Sequence, residues 1–123
     1  MSSEKTYKLT ILKNGVDEDH RFWVEACRKR EKEITYRVVD LSVANWFEKV
    51  LDEETDCFLA KAPGATSSGK QMYDERLYII AKILNLPVYP SYEEVLIYEN
   101  KRMLAYWLQA NRIPHPQTWN NAR

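Results

Sequence analysis

Only three glycines, two cysteines and two histidines occur in the 123 residues, and 18 basic side chains balance 18 acidic ones. Each scarcity removes a class of function. Without net charge there is no field to gather nucleic acid or an anionic membrane surface, so neither is expected as a partner. Gly15, Gly64 and Gly69 cannot compose the G-x-G-x-x-G turn of a dinucleotide site. Cys27, Cys57, His20 and His115 show no metal-ligand spacing. Two cysteines and no charged-then-apolar leader behind Met1 point to a reduced, cytoplasmic setting. No apolar run approaches the roughly 18 residues that a membrane-spanning helix requires.

Aromatic side chains are plentiful: four Trp, eight Tyr and three Phe, with a hydrophobic share of 45%. That is the composition of one folded domain, long enough to bury roughly two thirds of its unfolded surface. The apolar period switches between strand and helix along the chain. Lys8 to Lys13 is a β-prone run closed by the turn signal Asn14-Gly15. Asp17 to Lys32 places Phe22, Trp23, Ala26 and Cys27 as an amphipathic helix, with acidic residues in its first turn. Ile34 to Leu41 predicts a second strand, Asn45 to Glu53 a short helix and Asp56 to Ala62 a third strand. From Lys70 to Asn85, Tyr73, Leu77, Ile80, Ala81 and Leu84 make one helical stripe, and Leu86 to Tyr89 is a small fourth strand. Strands alternating with helices predict an α/β fold: a Rossmann-like parallel sheet of about four strands with flanking helices and a C-terminal helical extension.

Gly64-Ala-Thr-Ser-Ser-Gly69-Lys70 fits seven positions of the phosphate-binding loop G-x-x-x-x-G-K-[ST], but Gln71 replaces the hydroxyl that would meet Mg²⁺. The segment also follows the third strand rather than the first. A loop of small residues at a strand's C-terminal end is therefore the expectation, with Gly64 to Gly69 the most mobile internal segment. His20 and His115 are expected to be solvated or hydrogen-bonded, and Cys27 and Cys57 to be small buried hydrophobes.

Ser91-Tyr-Glu-Glu94 is a capping box that opens a short helix. A further helix from about Asn100 to Asn111 carries Met103, Leu104, Trp107 and Leu108 on one face. Ile113-Pro-His-Pro116 then forces extended chain, and Gln117 to Trp119 is expected to continue as a strand. The chain stops at Arg123, about where that strand needs a partner, so a longer natural protein is expected.

The stretch Tyr98 to Trp119, YENKRMLAYWLQANRIPHPQTW, resembles the segment leading into the ATP-grasp domain of carboxylate-amine ligases. In that family an Asp-Lys or Asn-Lys pair opens a helix, the helix ends near Asn or Gly before Ile-Pro or Leu-Pro, and Pro-x-Thr leads into a strand. Asn100-Lys101, Asn111-Arg112-Ile113-Pro114 and Pro116-Gln117-Thr118 occupy those places in order. Asn100 stands where Asp is more usual, and Arg112 where Gly is common. LNLPVYPSYEEV, residues 84 to 95, resembles the segment that precedes the lysine, so the likeness covers about residues 75 to 119.

The resemblance implies that residues 1–90 are a Rossmann-like pre-ATP-grasp domain that helps bind substrate. Residues 91–123 are then a helical linker and the start of a truncated ATP-grasp subdomain. ATP and Mg²⁺ are implied for the full-length ligase, none for this fragment, which is inactive alone. Lys101 is implied to reach phosphate oxygens of ATP from a helix N-terminus. The partners implied are the remaining ATP-grasp domain and a small-molecule or peptide carboxylate or amine substrate, with a homo-oligomer possible in its absence. A free-standing α/β binding or oligomerisation module without catalysis is the alternative. A receiver-type signalling domain is disfavoured, because Asn14-Gly15 and Lys61-Ala62 stand where it needs acidic residues.

Overall fold

The computed structural model describes residues 6–15, 20–61, 67–97 and 101–113. Four strands, β1 (Tyr7–Lys13), β2 (Ile34–Asp40), β3 (Cys57–Leu59) and β4 (Val88–Tyr89), form one parallel sheet in the order β2-β1-β3-β4. The α/β fold expected from the alternating periods is present, with helices on the sheet and a helix at the C-terminal end. β1 pairs with β2 along its whole length, from Tyr7 opposite Ile34 to Lys13 opposite Asp40. Its other edge pairs with β3 over three residues only, Leu9 to Ile11 against Cys57 to Leu59.

Alternation along the strands divides the core in two. One face of the sheet carries Leu12, Val39, Phe58 and Ala60, covered by Trp46 and Val50 of α2 (Trp46–Leu51), Tyr73 and Leu77 of α3 (Ser67–Tyr78), Ile80 and Val95. The other carries Ile11 and Leu59 and is covered by Trp23, Val24 and Cys27 of α1 (Arg21–Arg28). Arg37 of β2 anchors α2, its guanidinium donating to the carbonyls of Lys49 and Val50 at 2.6 and 3.1 Å and pairing with Asp52. It thereby satisfies carbonyls that a helix C-terminus leaves open.

α1 is shorter than its sequence period suggests. Its N-cap is His20, without a side-chain cap bond, and its first turn holds no acidic residue. Positions 16–19, where that charge was expected, lie outside the described residues. Three-residue turns, Arg30 N–H to Cys27 O and Glu31 N–H to Arg28 O, close its C-terminal end ahead of β2. α3 in contrast starts earlier than expected, at Ser67 instead of Lys70, so Gly69 is helical. The rest of the expected loop, Gly64 to Thr66, lies outside the described residues. The predicted stripe of α3 holds: Tyr73, Leu77 and Ile80 are fully buried, the helix continuing as a π-helical turn at Ile79–Ile83.

Two short helices end the described chain, α4 (Tyr92–Ile97) and α5 (Lys101–Ala110). The Ser91 half of the capping box appears where expected, the Glu94 N–H donating to Ser91 Oγ at 3.2 Å. Ala105 of α5 is buried, whereas Met103, Leu104 and Trp107 of the expected apolar face are exposed. The expected strand Gln117 to Trp119, like His115, lies outside the described residues.

Candidate functional site

β1 lies between β2 and β3, and the helix that follows β1, α1, covers one face of the sheet whereas the helix that follows β3, α3, covers the other. In open parallel sheets ligands bind in the crevice outside the strand ends at such a switch. Here pairing of β1 with β3 stops at Leu59. One step further the Tyr73 hydroxyl takes over, accepting the Lys61 N–H and donating to the Leu12 carbonyl, both at 3.0 Å. A side chain thus replaces a ladder bond where the strands part. On the other side of the same strand end, Trp23 Nε1 donates to the Ala60 carbonyl at 3.1 Å, tying α1 to β3. Gly15 turns the chain just past β1 at φ +90°, where an added Cβ would meet Ser42 Oγ at 2.8 Å.

Beside this crevice opens a groove of about 520 Å³, lined by Phe22, Trp23 and Ala26 of α1, Ala60 and Lys61 after β3, Pro90 after β4, and Glu94 and Val95 of α4. A volume of that size is typical for one small molecule. Its walls are apolar except for Lys61 and Glu94. Tyr89 flanks it, edge-on to Trp23 with ring centroids 6.1 Å apart.

The sequence stripe of α1 placed Phe22 and Ala26 with Trp23 and Cys27 as one core-facing set. Cys27 is buried and Trp23 half-buried, but Phe22 is 73% exposed and Ala26 is exposed. At about 100° per residue Phe22 and Ala26 lie on one flank of the stripe and Trp23 and Cys27 on the other. One flank packs on the sheet and the other lines the groove. The sequence carried no sign of this division, because which flank stays open depends on where α4 comes to rest.

Lys70, the lysine of the loop motif, is engaged elsewhere. Its ammonium donates to Asp74 Oδ2 at 2.7 Å and to the Val95 and Leu96 carbonyls at 3.1 and 3.3 Å, binding α3 to the last turn of α4. A cation is well placed against the open carbonyls of a helix C-terminus. Burial pushes the Asp74 carboxyl up and the Lys70 contacts pull it down, burial being the larger influence. Asp74 Oδ1 is itself buried without a hydrogen-bond partner among the described residues. Phosphate binding by this lysine would require breaking all three contacts.

Burial raises both thiols above their ordinary range, Cys57 further through the charge of Asp56, which keeps them protonated and poorly nucleophilic. His20 is half-buried and its Nδ1 makes no hydrogen bond among the described residues. The backbone of Lys101 opens α5 as expected, while its side chain lies outside what the structure describes. Among the described residues no three His, Cys, Asp or Glu side chains gather to hold a cation.

Cys27 packs in the core as expected, whereas Cys57 is only half-buried. Compared with family models, curated proteins and solved structures, the chain finds no match.

Proposed function

We propose that this chain is the N-terminal, substrate-binding and structural domain of an ATP-dependent carboxylate-amine ligase. The observation that carries the reading is the groove at the strand ends of a parallel α/β sheet, followed by α5, which begins at Lys101. The groove receives part of the acceptor substrate. ATP and Mg²⁺ belong to the remaining ATP-grasp domain, to which Lys101 contributes a phosphate contact. Among the described residues no helix is long and apolar enough to cross a membrane, and a cytoplasmic location is part of the proposal.

Release of ADP tests it. The full-length protein, supplied with a carboxylate and an amine, is expected to release ADP in a Mg²⁺-dependent way, and the 123-residue chain to release none. Mg²⁺-dependent ADP release by the chain alone would contradict the assignment. The exposure of Met103, Leu104 and Trp107 on α5 favours a second reading, a free-standing binding or oligomerisation module. Sedimentation separates the two: a chain that self-associates through α5, with no ATP-dependent activity in the full-length protein, supports the module.

A further inference from the structure

We infer that the outer edge of β2 docks a second copy of this chain, the two β2 strands pairing antiparallel about a two-fold axis so that two four-stranded sheets become one. The ladder with β1 fixes which way each peptide group of β2 points. The Tyr7 N–H donates to the Glu33 carbonyl and the Leu41 N–H to the Lys13 carbonyl, at the two ends of an unbroken parallel register. Because a parallel strand bonds to one neighbour through alternate residues, Thr35, Arg37 and Val39 turn their peptide groups toward β1, and Ile34, Tyr36, Val38 and Asp40 turn theirs outward. The Tyr36 and Val38 N–H and C=O groups meet no partner among the described residues. The opposite edge of the sheet is blunt, since β4 has two residues and runs into Pro90. β2 has seven, ITYRVVD, with no proline, no lysine and no bulge, the devices that keep an edge from pairing.

A second copy fits this edge because the edge is its own complement. With the two-fold axis at Arg37, Tyr36 stands opposite Val38 of the second copy and each Asp40 N–H reaches an Ile34 carbonyl, about six backbone bonds in all. An aromatic side chain opposite a β-branched one is a favourable cross-strand pair, and symmetry forms it twice. Val38 is 40% exposed in the single chain and gains cover there. Charge does not oppose the contact. The chain carries 18 basic and 18 acidic residues, so two copies have no net repulsion. Arg37 faces its own copy across the axis, but its guanidinium reaches away from the edge to Thr10 Oγ on β1 and pairs with Asp52. The Asp40 carboxylate is taken up by the Ser42 N–H and hydroxyl. A peptide of another sequence would have to supply this match, whereas the second copy supplies it by symmetry.

The pairing depends neither on the ligase reading nor on any contact made by α5. Sedimentation of the 123-residue chain at rising concentration is expected to show a monomer–dimer equilibrium with a Kd of about 100 µM or below. Hydrogen exchange at the Tyr36 and Val38 amides is expected to slow roughly threefold or more as the dimer fills, with the amides of α5 unchanged. Val38→Lys places a charge on the edge, and Val38→Pro removes an outward N–H but no bond to β1. Each is expected to weaken the dimer about tenfold or more while circular dichroism shows the fold retained. Trp107→Glu on α5 is expected to leave the dimer intact. A chain that stays monomeric at about 1 mM overturns the proposal, whether the edge is bare or covered by another segment of the same chain. A dimer that Trp107→Glu dissolves and Val38→Lys leaves intact also overturns it, and assigns the association to α5. Should both Val38 variants fail to fold, exchange in the unaltered chain decides: protection of Tyr36 and Val38 that does not change with concentration refutes the pairing.

Discussion

Replacing Lys70 by Met removes the cation from a pair whose side chains are only 13% and 16% exposed. The methionine keeps the length and apolar stem but leaves the Asp74 carboxylate and the Val95 and Leu96 carbonyls without their donor. Breaking a buried pair on one side costs about 3–5 kcal/mol, and the residual exposure here argues for about 2–3. For a domain of this length that is a fall in Tm on the order of 10 °C. Urea unfolding followed by Trp fluorescence measures it as a lowered midpoint at unchanged slope. The double variant Lys70→Met/Asp74→Leu should regain most of the loss, because an apolar pair leaves no buried charge.

The pH dependence gives a second handle on the same pair. The folded Asp74 carboxyl is raised, so the folded state holds its proton more tightly than the unfolded state. Stability contributed this way is present at low pH and lost as pH rises from the unfolded value through the folded one. Deleting Lys70 removes the influences that lower the carboxyl and extends that window upward. The deficit of Lys70→Met should therefore be smallest in acid and grow toward neutrality. A deficit that is constant between about pH 4 and 8, or a midpoint within error of the parent, would refute the buried-pair account.

Tyr73→Phe leaves the Lys61 N–H and the Leu12 carbonyl without the hydroxyl that joins them, at a cost of about 1–3 kcal/mol in unfolding free energy. Hydrogen exchange at the Lys61 amide should accelerate in the same variant, and unchanged protection there would count against the bridge. Arg112 sits at φ +54° just beyond α5, a left-handed position that costs a side chain about 1 kcal/mol, so Arg112→Gly should steady the end of that helix. No gain in protection of the Ile113 amide, which bonds to the Leu108 carbonyl, would contradict it. On the proposed ligase function, Lys101→Ala in the ATP-grasp protein should lower ATP affinity or turnover at least tenfold, about 1.4 kcal/mol, with little effect on the stability of this chain. Wild-type ATP kinetics in that variant would remove Lys101 from the nucleotide site.

Local pattern in the sequence determined the elements and their class. The β-branched runs Lys8 to Lys13 and Ile34 to Leu41, the stripe through Tyr73, Leu77 and Ile80, and Ser91 with Glu94 all appear as strand, helix and cap where their periods placed them. These features depend on contacts within a few residues, which periodicity and turn chemistry describe directly.

Tertiary structure alone decided the rest. Whether Phe22 packs in the core or lines a groove depends on how far α4 stands from α1, and the two lie about seventy residues apart along the chain, a separation that local patterns do not encode. Lys70 likewise lies within a phosphate-loop motif by spacing but is committed to Asp74 and the end of α4 by proximity in space. Lys61 and Glu94 line one groove because β3 and β4, which they follow in the chain, are neighbours in the sheet. A side-chain period records which residues need a partner; only the folding of distant segments onto one sheet settles which partner each one meets.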